Sequence, residues 1–512
     1  MKIRNLSAAI FAGALLLNAG CAKKEVLNLY FTSDAEGWIW SRKTEKEPDK
    51  ETGGFAVLKK FLNSGKQSGI VVDGGDWFSQ TPEGYLSKGK ASIECMNLSG
   101  YGLSALGITD LKLDPQALQN LMESASFPVI SSNIYLKNGK KPVHLQDYFI
   151  FETTAAKIGF LAVTIPDPAK PGLSKILNAY KIERADKEIQ RVMTLLNKKR
   201  VKITALFVSA PAEKKLDHAF YEELLKSARE NPDIILTNNL DTAGNHSSRR
   251  LMSHRLAVPE KPARIKNTWV IPAAPRLLTV ERIDIHLNPA GETAKISHQT
   301  ALLDKEKYGE APDVMETIDK HRKTAAKYLD RRIGHAPEPL EKSLNGRSPA
   351  GEWICDCMRR WAKTNAAVLT HENLLSGLNK GDVTLRDVYN LADYDATLVF
   401  VKMRGQGLLN ILNEHLKTGI SVSGIEAVVE NGGISRARIN SRELAANRIY
   451  KAAVADSMIQ KNPEMLSEAL EFANSRRYLR EIMAWCVSRN RTIEKPEGDR
   501  ITEQIVNSKI SD

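Results

Sequence analysis

Short β-rich apolar runs alternate with amphipathic stretches of helical spacing from Val26 to about Asp304. The predicted strands are residues 26–32, 69–72, 129–131, 157–164, 203–208 and 234–236. The predicted helices between them are residues 54–62, 91–99, 115–123, 186–198 and 219–230. Such alternation is typical of an α/β domain with buried strands. The pattern therefore predicts one α/β domain over residues 26–304.

The pattern changes after Asp304 and then begins again. Residues 311–332 are polar with apolar residues at helical spacing, which predicts a helix that links two domains. From Ile333 onward the pattern predicts helices at 351–362 and 406–415, strands at 397–403 and 449–455, and a basic C-terminal helix. Residues 333–512 are therefore expected to form a second, smaller α/β domain.

The first twenty residues have the pattern of a targeting segment. Two basic residues precede an almost wholly apolar run, residues 6–19, which is too short for a comfortable transmembrane span. Small residues then lead to Cys21, as in a bacterial lipoprotein signal, although Asn18 stands where Leu is usual. We interpret residues 1–20 as a signal peptide and Cys21 as a lipidated N-terminus, with an ordinary secretory peptide as the alternative. The expected location is across the inner membrane and lipid-anchored in the cell envelope, at an outer membrane facing the periplasm or the cell surface.

Composition narrows the class of protein. The 512 residues include 73 Lys or Arg and 61 Asp or Glu, a formal net charge of +12, and 42% are hydrophobic. This balance excludes a wholly disordered chain, a collagen and a multi-span membrane protein. The positive charge permits attraction to anionic partners. No stretch resembles a nucleic-acid-binding module, so no nucleic-acid partner is expected.

Four cysteines follow Cys21. Cys355 and Cys357 stand two apart in a predicted helix and do not face each other, so no bridge between them is expected. A pair such as Cys357–Cys486 is left open by the sequence. The alternative is that all four, Cys95 included, are small buried apolar side chains.

Several segments resemble the 5′-nucleotidase family, which joins a calcineurin-like metallophosphatase domain to a C-terminal substrate domain. LNLYFTSDAEGWIW (27–40) is similar to that family's first strand and metal loop, and residues 70–110 are similar to its Gly-Asp-x-Phe, Met-Asn-x-x-Gly-Tyr and Gly-Asn-His-Glu segments. GEWICDCMRR (351–360) and residues 381–412 are similar to its C-terminal domain. The resemblance implies a four-layer α-β-β-α sandwich followed by a smaller α/β domain. It also implies two metal ions and hydrolysis of nucleoside phosphates in nucleotide catabolism.

The family's metal ligands, carried over position by position, leave a complete set of oxygen ligands at only one of the two metal sites. The places of the first site hold Asp34, Glu36, Asp76 and Asp241. The second site shares Asp76, but its other places hold Ile108, Ala210 and Asn239. Thr109 stands where the family has the His that protonates the leaving oxygen, and a hydroxyl cannot act as that acid near neutral pH. A two-metal centre and the family's catalytic acid are therefore not expected.

The four carboxylates of the first site allow two interpretations. Clustered carboxylates suit a hard cation, which predicts one Ca²⁺, Mg²⁺ or Mn²⁺ ion. The alternative is drift after loss of catalysis, with the carboxylates solvated or paired with Lys or Arg. Four like charges in one cleft repel strongly unless something cationic lies among them.

The nucleotide pocket implied for the second domain is altered as well. Residues 370–375, THENLL, stand where Asn-Gly-Gly-Gly-Ile-Arg is usual, which removes the glycines and the Arg that would approach a ligand. Tyr394 is the remaining candidate for substrate binding, because its ring can stack on a base. The alternative is an ordinary packed aromatic residue.

These observations favour a pseudoenzyme, a non-catalytic binding or scaffold lipoprotein of the cell envelope. The alternative is a phosphoesterase of altered mechanism that uses a single hard cation. The expected partner is a small anionic ligand or an envelope protein, and the chain is expected to be a monomer.

Overall fold

The computed structural model describes residues 25–43, 49–65, 69–166, 178–210, 216–226, 230–238, 261–343, 346–392, 396–461, 465 and 467–503. Cys21, Asp241 and Tyr394 lie outside these residues. The first domain consists of two packed β-sheets with helices on both outer sides, and the second is a smaller α/β unit. Within the described ranges, no helix is both long enough and apolar enough to cross a membrane.

The first sheet of the first domain has seven strands and carries most of the site described below. In spatial order they are Thr293–Leu302, Thr279–Leu287, Val26–Thr32, Ile70–Asp73, Leu103–Ala105, Val129–Ile130 and Leu145–Gln146. From the third strand onward they run parallel, so their carboxyl ends meet at one edge. The first two strands form an antiparallel hairpin against Val26–Thr32.

The second sheet has six strands and packs against the first. In spatial order they are Ala263–Ile265, Thr268–Pro272, Ile234–Thr237, Ile203–Ser209, Lys157–Thr164 and Tyr148–Glu152. Its four central strands are parallel. Two smaller ribbons pair Ile134–Leu136 with Tyr180–Ile182 and Arg42–Lys43 with Glu51–Thr52.

The strand Val26–Thr32 shows why its sequence is apolar nearly throughout. Leu29 and Phe31 point into the core between the two sheets, while Tyr30 packs against the outer helices. Because both faces are covered, the strand has no solvated face and does not alternate between apolar and polar residues.

Helices cover the outer face of each sheet. Those over the first sheet are Phe55–Ser64, Pro82–Leu86, Lys90–Ser99, Pro115–Glu123 and the long Pro312–Leu329, with a single turn at Lys305–Tyr308. Those over the second sheet are Ala185–Lys198 and His218–Leu224. Pro115–Glu123 begins where Asp114 Oδ1 accepts the Ala117 N–H at 2.9 Å, with Pro at its first position.

The helix Pro312–Leu329 lies between the two domains. Its first half buries Val314 and Ile318 among the outer helices of the first domain. Its last turn buries Leu329 against Leu385 of the second domain. Arg386 then forms ion pairs with Asp330, at 2.6 Å, and with Glu83 of the first domain. The helix therefore contacts both domains.

The second domain has a five-stranded and a four-stranded sheet. The strands of the first are Ile420–Ser423, Ala366–Thr370, Ile449–Ala455, Thr397–Arg404 and Ala469–Tyr478. Those of the second are Arg442–Glu443, Gly433–Ile439, Ile425–Glu430 and Ile501–Glu503, and a ribbon pairs Arg332–Ala336 with Gly381–Thr384. The helices are Pro349–Ala362, Leu385–Tyr389, Gly405–His415, Asp456–Lys461 and Leu479–Arg489.

The predicted fold class, an α-β-β-α sandwich followed by a smaller α/β domain, is confirmed. The helix predicted at 219–230 instead spans His218–Leu224 and closes on a turn at Leu225, within the described residues. It begins one residue earlier because Asp217 accepts the Phe220 N–H at 3.0 Å and caps it. All four described cysteines are buried thiols.

Candidate functional site

The loops that follow the parallel strands bring polar side chains to one rim between the two sheets. Asp34 follows Val26–Thr32 and Asp76 follows Ile70–Asp73, and their loops are tied together where the Asp34 N–H donates to Gly75 O at 2.9 Å. The Glu36 N–H donates to Asp76 O, also at 2.9 Å. Three of the four predicted carboxylates therefore lie at one rim, and the fourth, Asp241, is outside the described residues.

These three acidic residues have unusual backbone geometry. Their φ angles are +52° at Asp34, +50° at Glu36 and +61° at Asp76. Side chains other than Gly rarely adopt this left-handed region, and such residues cluster at sites where the surrounding structure fixes them. The paired loop bonds supply that constraint here.

Asp34 and Asp76 are both buried at this rim, where their charges interact. Asp34 accepts from Asn238 Nδ2 at 3.0 Å and from Ser33 Oγ at 2.5 Å. Burial raises the pKa of Asp34 well above its usual value, and the charges of Asp76 and Glu36 add to the effect. Burial also raises the pKa of Asp76. Burial and like charge therefore both oppose ionisation of the two carboxyl groups together.

Thr109 donates two hydrogen bonds to one carboxylate oxygen of Asp76. Its backbone N–H donates to Asp76 Oδ1 at 2.6 Å, and its hydroxyl donates to the same oxygen at 2.7 Å. These two bonds favour the charged form and partly offset the effect of burial on the Asp76 pKa. Thr109 thus acts here as a donor that holds Asp76 in place.

Glu36 faces arginine. Arg276 Nε lies 3.3 Å from Glu36 Oε2, and the Arg276 backbone N–H donates to Asp34 O at 2.6 Å. Arg42 lies behind this pair, where its Nη2 donates to Arg276 O at 3.0 Å and its guanidinium covers the Trp38 ring. Burial, with the nearby charge of Arg276, lowers the pKa of Arg42 to about 9. Glu36 is therefore neutralised by a guanidinium and is not a free ligand.

Asp110 fixes the loop that carries Thr109. Its carboxylate accepts three backbone N–H bonds, from Asp76 at 2.8 Å, Trp77 at 2.9 Å and Gly107 at 3.0 Å. The two loops approach so closely that a Cβ on Gly107 would lie 2.2 Å from Asp76 Oδ1. Only Gly fits at that position without a shift of the loop.

The donor atoms themselves test whether the residues fit the two-metal centre that the resemblance implies. Ile108 belongs to the apolar core beneath the outer helices of the first sheet, and Ala210 belongs to the core beneath those of the second. Neither side chain carries a donor atom. Asn238 is held by Ala210, whose N–H donates to Asn238 Oδ1 at 3.1 Å. The described residues therefore do not fit a second metal.

The described residues at the predicted nucleotide pocket form hydrogen bonds within the second domain. His371 is fully buried and its Nε2 lies 2.9 Å from Ser421 Oγ. Asn373 Nδ2 donates to Thr370 Oγ1 at 2.6 Å, and its Oδ1 accepts from Ser457 Oγ at 2.5 Å. These polar groups are satisfied inside the second domain, so the described part of this loop presents no open binding edge.

The rim contains functional residues that the sequence did not single out. Asn238, Arg276 and Ser33 all contact the predicted carboxylates. Each follows a strand of the two sheets, so its position after a predicted strand is the feature of the sequence that could have identified it. Across the ranges that the structure describes, no group of three or more His, Cys, Asp or Glu side chains is arranged to hold a metal ion.

Comparison with protein families is decisive for the second domain. Residues 332–470 match the family model of the 5′-nucleotidase C-terminal domain. The second domain is therefore similar to the C-terminal domain of 5′-nucleotidases. A 5′-nucleotidase of Vibrio cholerae is 23% identical to this chain over 507 residues, which cover 88% of each chain. Protein UshA of Yersinia enterocolitica is 21% identical over 476 residues, covering 83% of this chain and 84% of that one.

Solved structures show the same architecture. A putative 5′-nucleotidase from Staphylococcus aureus, crystallised with alpha-ketoglutarate, superposes with a TM-score of 0.71. The match covers 94% of this chain and 100% of that one at 14% identity. The fold of the family, a metallophosphatase domain followed by a substrate domain, is therefore the fold of this chain.

Proposed function

We propose that this chain is a member of the 5′-nucleotidase family that serves as a non-catalytic binding or scaffold protein of the cell envelope. One observation carries the proposal: Thr109 donates two hydrogen bonds to the Asp76 oxygen, at a position where the family has an acidic His. Asp34 accepts from Asn238 and Ser33, so the protein's own donors satisfy this carboxylate as well. With Thr109 at that position, the His that supplies general acid help in the family, worth about 10²–10⁴-fold, is missing from the described rim.

Export and lipid anchoring at Cys21 are part of the same proposal. They rest on the apolar N-terminal segment that ends in Ala-Gly-Cys. The partner is a small anionic ligand or another envelope protein, which the net charge of +12 favours, and the chain acts as a monomer.

A phosphate-release screen tests the absence of catalysis. The purified chain is offered AMP, UDP-glucose and cyclic nucleotides with Ca²⁺, Mg²⁺ or Mn²⁺, and turnover is expected to stay below about 1 s⁻¹, a typical enzyme value. Asp76→Asn should not change the residual rate. The matched control is Asp186→Asn, which alters a surface carboxylate on a distant helix. Turnover above that rate that is lost in Asp76→Asn and kept in Asp186→Asn would show a working active site.

A second candidate, a phosphoesterase that uses a single hard cation, is favoured by the burial of Asp34 and Asp76 at one rim. Two interacting buried carboxyl groups are stabilised by a proton or by a cation. A hard cation held by Asp34, Asp76 and Asp241 would compensate their charges. In that case the cation would supply charge stabilisation, and Thr109 and Asn238 would orient the carboxylates.

Thermal melts distinguish the two candidates. A bound cation stabilises the fold by about 2.7 kcal/mol at a hundredfold excess over its dissociation constant. If the single-cation site exists, Ca²⁺, Mg²⁺ or Mn²⁺ raises the melting temperature above that of a chelated control, and Asp76→Asn abolishes the rise. Equal melting temperatures with and without each cation exclude this site and leave the scaffold function.

A further inference from the structure

The end of the first domain opposite the rim is where the parallel strands begin. The strand Val26–Thr32 starts there, and the Leu287 N–H donates to Glu25 O at 3.0 Å. Lys202, just before a central strand of the second sheet, has its Nζ 3.0 Å from Glu292 Oε1. Glu292 is in the hairpin turn that follows Leu287, so the amino ends of the two sheets meet here.

Exposed basic side chains are concentrated at this end. They come from the C-terminal end of the helix Ala185–Lys198, from the residues that connect it to the next strand, and from the first residues of strands in both sheets. We call this set of exposed residues the basic face: Lys157, Lys198, Lys199, Arg200, Lys202 and Lys295. One helix end and several strand ends therefore place these cations on one side of the domain.

Carboxylates offset only part of this charge. The exposed carboxylates at this end are Glu25, Glu152, Glu230 and Glu292. Two of them are paired within the face, Glu152 with Lys157 at 2.6 Å and Glu292 with Lys202 as described above. A further carboxylate, Asp233, is only partly exposed, and its Oδ2 accepts the Thr204 N–H at 2.9 Å.

The charge that remains is positive. Among the residues that the structure describes, the other four members of the basic face form no ion pair: Lys198, Lys199, Arg200 and Lys295. Lys23 and Lys24 stand immediately before Glu25 in the sequence and add two cations close to this end. A set of separate, unpaired cations attracts negative charge that is spread over an area.

The lipid proposed at Cys21 would be attached at the same end. Cys21 precedes Glu25 by four residues. Since a chain spans at most about 3.6 Å per residue, the lipidated residue lies within about 15 Å of Glu25. A membrane that holds the lipid is therefore held close to the basic face.

The second domain contacts the first on the side of the rim. Its Arg386 pairs with Glu83, and its Tyr478 ring lies 6.0 Å from the ring of Tyr85. Glu83 and Tyr85 are on the short helix that follows the rim loop of Asp76. In the described part of the chain, the second domain therefore leaves the basic face uncovered.

We propose that the basic face binds the anionic lipid headgroups of the membrane to which the chain is anchored. This inference depends on the lipid anchoring proposed above and does not depend on the absence of catalysis. The attraction of a basic residue to an anionic membrane extends over about one Debye length, about 10 Å at 0.1 M salt, and the short connection to Cys21 keeps the face in that range. In this orientation the rim and the second domain are directed away from the membrane, where they remain accessible to a ligand or partner.

Sedimentation with lipid vesicles tests the proposal without the lipid anchor. The chain from residue 21 onward, purified as Cys21→Ser, is mixed at low salt with vesicles of phosphatidylcholine alone or with about 30% phosphatidylglycerol. Each basic residue near an anionic membrane raises binding about fivefold, so the vesicles with phosphatidylglycerol should bind at least about tenfold more tightly. About 0.5 M salt should remove this difference. Equal binding to the two kinds of vesicle at low salt would overturn the proposal.

Two matched variants separate the basic face from the net charge of the protein. The first combines three substitutions on the basic face: Lys198→Gln, Lys199→Gln and Lys295→Gln. The control removes three exposed cations of the second domain: Lys417→Gln, Arg436→Gln and Arg438→Gln. The first variant should bind the anionic vesicles at least about tenfold more weakly than the parent chain, because three attractive charges are lost, and the control should bind within about twofold of it. Equal losses in the two variants, or no loss in the first, would contradict the assigned surface.

Lysine acetylation followed by mass spectrometry measures the contact without altering the face. Vesicles with phosphatidylglycerol should slow the acetylation of Lys198 and Lys295 and leave that of Lys417 unchanged. Equal rates at all three residues with and without these vesicles, or slowing at Lys417 alone, would overturn the proposal. These assays use unlipidated protein, so they succeed or fail independently of lipidation at Cys21, which fatty-acid labelling of cells tests separately.

Discussion

Asp73 offers a sharp test of how burial controls the charge of this domain. The residue ends the strand Ile70–Asp73 and is almost fully enclosed. Its Oδ2 accepts from Thr32 Oγ1 at 2.8 Å, and its Oδ1 accepts from the Gly75 N–H at 2.9 Å and from Ser104 Oγ at 3.2 Å. Burial outweighs these bonds and raises the pKa of Asp73 from 3.8 to about 7.

The raised pKa of Asp73 determines the size of its contribution to stability and how that contribution changes with pH. Each pKa unit is worth about 1.4 kcal/mol, so a change from 3.8 to about 7 corresponds to about 4 kcal/mol. Because the folded pKa is the higher one, the folded state holds the proton that the unfolded state releases. The contribution to stability is therefore complete below pH 3.8 and is lost as the pH rises to about 7.

The variant Asp73→Asn should remove this pH dependence. An Asn amide has the shape of the protonated carboxyl group, and its Nδ2 can donate to Thr32 Oγ1 while its Oδ1 keeps the other two bonds. At pH 4 the two proteins should be about equally stable. At pH 8 the variant should be more stable by up to about 4 kcal/mol, because only the wild type must bury a charge.

Denaturant unfolding at several pH values between 4 and 8 measures the difference between the two proteins. Asp186→Asn is the control, since Arg184, at 2.8 Å, lowers the pKa of that surface carboxylate and its contribution fades only as the pH falls. Parallel curves for wild type and Asp73→Asn across this range would refute the reasoning. They would show that Asp73 is ionised in the folded protein without cost.

Three further variants, two in the first domain and one at the N-terminal segment, have expected outcomes. Asp110→Ala leaves three buried backbone N–H groups without an acceptor and should cost about 3–5 kcal/mol in denaturant unfolding. Asp114→Ala removes one helix cap and should cost about 1 kcal/mol, so equal losses in these two variants would contradict the account of the loop. Cells fed an alkyne fatty acid should label the wild type and not Cys21→Ser, and equal labelling would exclude lipidation at that residue.

The fold was largely predictable because its central strands are buried on both faces. Their apolar runs stand out, and the strand Val26–Thr32 occurs where the pattern predicted it. The hairpin of Thr279–Leu287 and Thr293–Leu302 was not predicted. Its strands lie at the edge of the sheet with one face partly open, so charged residues such as Arg282 and Asp284 interrupt the apolar signal.

The site was predictable in position but not in its contacts. Asp34, Glu36 and Asp76 follow parallel strands, and parallel strands end at one edge, which is enough to bring them together. The groups that satisfy them come from distant parts of the chain: Asn238 is 204 residues from Asp34, and Arg276 is 240 residues from Glu36. No local pattern reports such partners, since the folded topology alone makes them neighbours.

Asp34, Glu36 and Asp76 have left-handed backbone angles, so keeping these side chains costs stability. Gly adopts such a backbone freely, whereas a longer side chain costs roughly 1–2 kcal/mol. In a lineage that had no use for the rim, random substitution would replace these residues with Gly or Asn and the fold would gain stability. Glu36 is the least suited of the three to its backbone. Conservation of Glu36 among close homologues of this chain would therefore indicate, more sensitively than conservation of any core position, that the rim has a function.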